Sequence, residues 1–445
     1  MAFYTAKLIK YRARYPLIMS KPSPLTRNDV KTLALASLGA MLEIYDFVIF
    51  IFLLNELGQL FFPSDLPNWI VRLQSIGIFA AGFLVRPISG IIISHFSDKQ
   101  GRKKMFIFTI LLMALPTLGI SLLPTYQAIG IAAPLLLLTM RIMQGIAIGG
   151  EIPSSWVFVA EHSAKQRHGL SLGLLTCGIS GGSLLGALVL LCLKSSLDQQ
   201  QILAYGWRIP FMIGGCLGLI TFYLRQHLAE TPVFQEILAK RQLAKEWPLK
   251  TVLKKHLPAT ALCGVMTWST ASVVIIIILL LPAQLQQLNL SSTLIFKANA
   301  LATLMMVFGN ISFGCLNDRL NLRSTYLFSW GGVIVAGYYF FSQLSPAISN
   351  TQLIINYMFI GYFAGVTVTM PILGIKLFPS AIRVSGISFA YNLTFAITSL
   401  ITPVIITLWD HYNNMASAYY LIIASVASIA TGLIAYRVKG SALYE

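Results

Sequence analysis

The sequence predicts an all-α membrane protein whose twelve transmembrane helices form two six-helix halves. Three observations carry that expectation. Only 11% of the 445 residues are charged while 56% are hydrophobic, against about 25% charged residues in a soluble domain. Too few polar residues exist to cover even one water-soluble core of this length, which excludes an ordinary soluble enzyme. Apolar segments of spanning length recur twelve times, and the basic residues concentrate in every second connection between them.

The elements follow in order. Residues 1–32 form a basic, proline-interrupted tail without the apolar core of a signal peptide. Spans at 33–56, 70–95, 104–124, 127–152, 169–193 and 208–226 make a first half over 33–226. The polar connection 227–256 is the longest between spans and separates the halves. Spans at 257–282, 292–316, 324–344, 351–378, 384–409 and 415–436 make a second half over 257–437, and a tail follows over 438–445. Each span meets the roughly 20-residue length that a bilayer helix needs. The alternating segments of about ten residues that strand spans require are absent.

The tail holds seven Lys and Arg, and alternate loops, counted together with the span ends that flank them, hold four, two, seven, two and two, while the intervening loops are almost bare of them. The positive-inside rule therefore places both termini in the cytoplasm. The net charge of +17 is a topology signal with some attraction to anionic lipid, and calls for no nucleic acid partner. Cys177, Cys192, Cys216, Cys263 and Cys315 all lie in apolar segments without paired spacing, which reads as lone core thiols. No metal or cofactor is expected.

One internal echo is informative. Asp98, Lys99 and Arg102 follow span 2, and Asp318 and Arg319 follow span 8 at the same place in their half. A weaker echo pairs Arg167-His168-Gly169 with Arg383-Val384-Ser385-Gly386. Two repeats around a midplane site are a common secondary-transporter plan.

At these residues a family likeness becomes specific. Ser94 to Lys103 resembles the loop-2 motif of the major facilitator superfamily, and Arg141-Ile-Met-Gln144-Gly145 resembles its span-4 signature. Within that superfamily the chain is similar to the metabolite:proton symporters. Glu43-Ile44-Tyr45-Asp46-Phe47, Leu84-Val85-Arg86-Pro87, Gly149-Gly150-Glu151, Gly206 to Phe211, Glu230 to Phe234 and Leu377-Phe378-Pro379 carry that likeness over about 30–437. It departs from the pattern at Ser94, Ile44, Ile152-Pro153, Lys376 and Lys297. The resemblance implies the major facilitator fold, a monomer, and proton-driven uptake of a small molecule. Known substrates of the family are proline and betaine-type osmolytes, 2-oxoglutarate, citrate and shikimate. The short C-terminal tail, without the coiled coil of osmosensing members, turns the expectation toward carboxylates.

A charge at mid-bilayer costs roughly 2.5–3.5 kcal/mol on insertion scales, so each one in a span needs a reason. Glu43 and Asp46 share one helical face, and either is a candidate proton site. A carboxyl group in a dry cavity takes up a proton more readily, while a nearby guanidinium opposes this. An Asp46–Arg141 contact made in one conformation and broken in another would couple protonation to access. Arg141 and Arg86 are candidate carboxylate ligands, since guanidinium grips a carboxylate with two parallel bonds; Gln144 lies on the Arg141 face. Trp268, Asn299, Asn356, Tyr362 and Asn392 are polar groups within spans that either line a cavity or bond between helices. Lys297 is read as snorkelling to the interface. Asp98, Arg102, Glu161, Arg167, Asp318, Arg319 and Arg383 form, by resemblance, contacts that close the cytoplasmic side.

The first functional expectation is a proton symporter importing a small organic acid or zwitterion across the cytoplasmic membrane. Rivals are a proton-antiport exporter, disfavoured because Thr176–Gly186 has glycines and no proline, and a non-transporting sensor. No nucleophile–base set, phosphate loop or metal spacing suggests an enzyme.

Overall fold

The computed structural model describes residues 27–63, 65–240, 247–288, 290–320, 322–410, 413 and 415–438. Residues 1–26 of the expected basic tail 1–32, residues 241–246 of the polar connection and residues 439–445 of the expected tail 438–445 lie outside the described residues, and residues 27–32 already belong to the first helix. Among the described residues all regular structure is helical.

Twelve rods dominate. In the first half they are α1 (Arg27–Phe52), α2 (Asn68–Gln100), α3 (Arg102–Leu122), α4 (Ala132–His162), α5 (His168–Ser196) and α6 (Arg208–Arg225). In the second they are α7 (Leu257–Gln287), α8 (Ser292–Arg319), α9 (Leu322–Ser342), α10 (Asn350–Leu377), α11 (Arg383–Asp410) and α12 (Ala416–Val438). Ten of these are long and apolar enough to cross a membrane, and α6 joins Gln199–Gly206 at a 41° bend to make an eleventh span. The twelfth, α9, is 21 residues long but diluted by Ser, Gly331, Gly332, Gly337, Trp330 and three tyrosines, so composition alone undersells it.

Chain chemistry sets the ends. Gly101 adopts φ +113°, a conformation open to glycine at little cost, and turns α2 directly into α3. Ser291 and Ser349 accept from the backbone N–H groups of Leu294 and Gln352, capping α8 and α10. Span 4 ends ten residues later than the sequence predicts. Pro153 lies inside α4 and does not stop it, because packed neighbours tolerate a proline within a spanning helix. In α7 a π-helical turn covers Ile275–Leu280 just before Pro282, and the Tyr357 hydroxyl lies 2.6 Å from the Ile277 carbonyl.

The packing repeats between halves. In the first, α1 packs on α5, α2 on α4, and α3 on α6; in the second, α7 packs on α11, α8 on α10, and α9 on α12. The contacts between halves obey the same relation, α2 on α11 and α8 on α5. Each half is thus built alike, and a pseudo-two-fold exchanges them. Facing glycines let the helices come close: a Cβ on Gly169 would strike the Gly314 carbonyl, and one on Gly314 the Gly169 carbonyl. The outer surface carries exposed Leu84, Ile88, Ile92, Phe108, Leu188 and Leu191, as lipid-facing helices require.

Candidate functional site

Three groups of charged side chains sit inside this apolar body. The first lies within the first half, where α1, α3 and α4 meet. Arg141 Nη1 donates to Asp46 Oδ2 at 3.2 Å and to Gln144 Oε1 at 2.7 Å. Gln144 Nε2 donates to Asp46 Oδ1 at 2.8 Å and to Thr117 Oγ1 at 2.8 Å. The Thr117 hydroxyl also lies 2.9 Å from Asp46 Oδ1. The Phe50 ring covers the Arg141 guanidinium at 4.2 Å. Asp46, Arg141 and Gln144 are at most 2% exposed. The expected Asp46–Arg141 contact is therefore made in this conformation, on spacing the sequence exposed; Thr117, third member of the network, has no sequence signal beyond its place one residue after Pro116.

The second group faces the other half. Arg86 on α2 has its guanidinium 5.5 Å from the Phe83 ring, and 5.8 Å and 4.8 Å from Tyr391 and Phe395 of α11. Glu43 on α1 lies within charge–charge range of Arg86, Glu151 and Asp46. Glu43 and Arg86 are both buried, yet Glu43 Oε2 and Arg86 Nε and Nη2 have no hydrogen-bond partner among the described residues. The pair is thus placed between the halves and left incomplete, while one turn away both carboxylate oxygens of Asp46 accept hydrogen bonds. Glu151 belongs elsewhere. It pairs with Arg225 at 2.7 Å and accepts from Thr109. Arg225 also donates to the carbonyls of Leu35, Ala36 and Phe106, which fastens α1, α3, α4 and α6 together. Arg225 sits at the very end of the expected span 208–226, beside the polar connection, so its burial was not legible.

The third group closes one end, the end that carries the basic loops. Arg102 bonds Asp98 at 3.5 Å and Glu161 at 3.2 Å within its own half, and donates to the Ser380 carbonyl of the other at 2.8 Å. Glu161 pairs with Arg383 across the halves at 3.2 Å. Asp98 accepts from the Ser385 N–H in the first turn of α11 at 2.9 Å. Its counterpart Asp318 accepts from Gly169 and Leu170 in the first turn of α5, both at 2.7 Å. A helix N-terminus offers free N–H groups and positive potential, so each half inserts one carboxylate into a helix start of the other. The polar connection joins this end: Glu230 accepts from the Arg102 and Lys103 N–H groups, and Thr231 donates to Glu161 at 2.8 Å. Arg167 is half-buried, and Arg319 is exposed with no ion pair among the described residues. Lys376 is half-buried within charge range of Asp318.

The remaining sequence candidates divide. Asn392 donates to the Gly149 carbonyl at 2.7 Å and so ties α11 to α4. Trp268 donates to the Tyr420 hydroxyl at 3.0 Å inside the second half. Asn299 Oδ1 lies 2.9 Å from the Tyr357 hydroxyl. Asn356 is buried with Nδ2 unpartnered among the described residues, and Tyr362 packs against Phe313 and Phe363. Lys297 is exposed near the start of α8, as snorkelling requires.

Comparison with known proteins agrees with this architecture. Residues 32–256 match the model of the family described as "Sugar (and other) transporter". The proline/betaine transporter of Salmonella typhimurium is 31% identical over 93% of this chain and 86% of its own. The glycine betaine/proline/ectoine/pipecolic acid transporter OusA of Dickeya dadantii is 31% identical over 91% and 82%. The solved structure of the proton:xylose symporter XylE bound to 6-bromo-6-deoxy-D-glucose superposes with a TM-score of 0.76 at 16% identity, covering 93% of this chain and 96% of that one. The protein is a multi-pass membrane transporter and not an enzyme. With two matching six-helix halves and this end closure the chain has the major facilitator fold, and with these relatives it belongs to the sugar (and other) transporter family.

Proposed function

We propose that the protein is a proton-coupled symporter that imports a small zwitterion or organic acid by alternating access. The relatives' names favour the zwitterion. The observation that carries the proton coupling is the Asp46–Arg141–Gln144–Thr117 network, which lies beside the incomplete Glu43–Arg86 pair. A protonated Asp46 releases Arg141, and a released Arg141 has to find another anion or repack under Phe50. That makes the protonation state of one carboxyl group a switch on the packing of α1 against α4. Substrate enters between halves 33–226 and 257–437, which rock about the site while connection 227–256 follows.

In this reading Asp98, Arg102, Glu161, Asp318 and Arg383 are the gate at the cytoplasmic end, with both termini on that side. Closure there leaves the substrate path to the opposite face. Arg167 and Arg319 complete the basic rim without carrying the closure themselves. The protein works as a monomer in the bilayer.

Uptake into proteoliposomes tests the proposal. An inward proton gradient is expected to drive accumulation of a radiolabelled zwitterion such as proline, and a protonophore to abolish it. Accumulation indifferent to the protonophore removes proton coupling from the account.

A further inference from the structure

We propose that the cleft between α2 and α3 at the basic end of the protein binds one anionic phospholipid, with an acyl chain in the cleft and the phosphate on Lys104. The site lies on the lipid-facing side, away from the space between the halves, and does not depend on which solute is carried.

The cleft follows from how the first half is assembled. Gly101 turns α2 directly into α3, so the two helices stay together at that end. Beyond the turn each packs chiefly on α4 and little on the other. A gap of about 550 Å³ remains, lined by Ile88, Ile92 and Phe96 of α2, Met105 and Phe108 of α3, and Ile146 of α4. Ile88, Ile92, Phe96 and Phe108 are exposed, so the gap opens toward lipid. Ile88 and Phe96 stand about 12 Å apart along a helix that rises 1.5 Å per residue. That is close to the roughly 15 Å that one leaflet contributes to a hydrocarbon core about 30 Å thick.

The polar end supplies the charge. Lys104 lines the cleft from the first turn of α3, is exposed, and makes no ion pair among the described residues. Glu230, at the same turn, accepts instead from the Arg102 and Lys103 N–H groups. A lysine ammonium holds phosphate as a compact point charge. The His95 ring lies 5.3 Å from Phe96 and 5.4 Å from the exposed Trp247. Tryptophan favours the headgroup level of a bilayer, which sets this end of the cleft at the height of a phosphate. An apolar slot of leaflet depth with one free cation at its polar mouth complements an acyl chain joined to an anionic head. A zwitterionic head brings its own cation and gains less from Lys104.

The lipid would also back a working helix. Gly90 and Asp98 lie two residues beyond Ile88 and Phe96, about 200° around α2 at 3.6 residues per turn, and both meet α11. One face of α2 thus borders the cleft while the opposite face joins the other half.

Native mass spectrometry of the delipidated full-length protein in detergent tests the site, with phosphatidylglycerol and phosphatidylcholine of matched oleoyl chains as probes. The first phosphatidylglycerol is expected to bind about fivefold more tightly than the first phosphatidylcholine, the weight of one lysine beside an anionic lipid. Lys104→Gln changes an exposed side chain, leaves the fold intact, and is expected to erase that preference. Ile92→Trp fills the cleft, keeps the charge, and is expected to weaken both lipids. Glycerol phosphate, a head without tails, is expected not to displace phosphatidylglycerol. Equal affinity for the two lipids in the wild type, or an unchanged preference in Lys104→Gln, overturns the proposal. Undiminished binding in Ile92→Trp, or displacement by glycerol phosphate, overturns it too, because the acyl chain then lies outside the cleft or contributes nothing.

Discussion

Arg383 Nη1 stands 3.2 Å from Glu161 Oε1, and this ion pair joins α11 of one half to α4 of the other. Arg102 shares the same carboxylate through its Oε2, so one acid holds two guanidinium groups at the closed end. Removing the acid leaves two cations facing each other where the halves meet. Glu161→Gln is therefore expected to favour opening of this end and to cut the transport rate about tenfold, the kinetic weight of roughly 1.4 kcal/mol, with little change in substrate affinity. Rates and KM values in proteoliposomes decide it. A raised KM at unchanged rate would move Glu161 out of the gate and into the binding path.

The two aspartates at helix starts answer differently to the same change. Asp318 meets the Gly169 and Leu170 N–H groups, and asparagine still accepts hydrogen bonds as a helix cap. Asp98 meets Ser385 N–H and also Arg102, so neutralising it strips a charge from a buried cation. Asp98→Asn is expected to impair turnover strongly and Asp318→Asn mildly, while alanine at either position impairs it. Equal loss from both asparagine variants would show that charge, not capping, matters at both ends of the pseudo-symmetry.

Glu151 and Arg225 hold α4 to α6 and are expected to matter for folding rather than transport. Breaking a buried pair from one side costs about 3–5 kcal/mol, because the other charge is left buried alone. Glu151→Gln is expected to lower the melting temperature of the detergent-purified protein by several degrees, and the double change Glu151→Gln with Arg225→Met to recover part of it. A double variant that melts below both single variants would argue against mutual compensation.

Much of this was legible in the sequence because membranes impose simple rules. Span number, the division into halves and the Asp98/Asp318 echo follow from hydropathy and charge, which lipid enforces on the chain. Asp46 and Arg141 were legible as a pair for the same reason, since a charge in a span needs a partner. What the sequence concealed is where each charge finds that partner. Glu151 shares a helical face with Arg141, yet it turns to Arg225, whose place at the end of its span, next to the polar connection, hid its burial. For Asn392 and Trp268 the sequence left cavity lining and interhelical bonding both open; both bond between helices, since a polar group in a span is satisfied by whichever neighbour packs nearest. The aromatic enclosure of Arg86 depends on Tyr391 and Phe395, about 300 residues away in sequence, and no local pattern announces it.

The central claim is that the proton travels with substrate because Asp46 exchanges it against Arg141. The most direct measurement records external pH while substrate is added to proteoliposomes in weak buffer. The wild type is expected to take up protons on substrate addition. Asp46→Asn is expected to show no proton movement yet to retain exchange of labelled for unlabelled substrate. Substrate-driven alkalinisation of wild-type size in Asp46→Asn would contradict the assignment and pass the proton to Glu43.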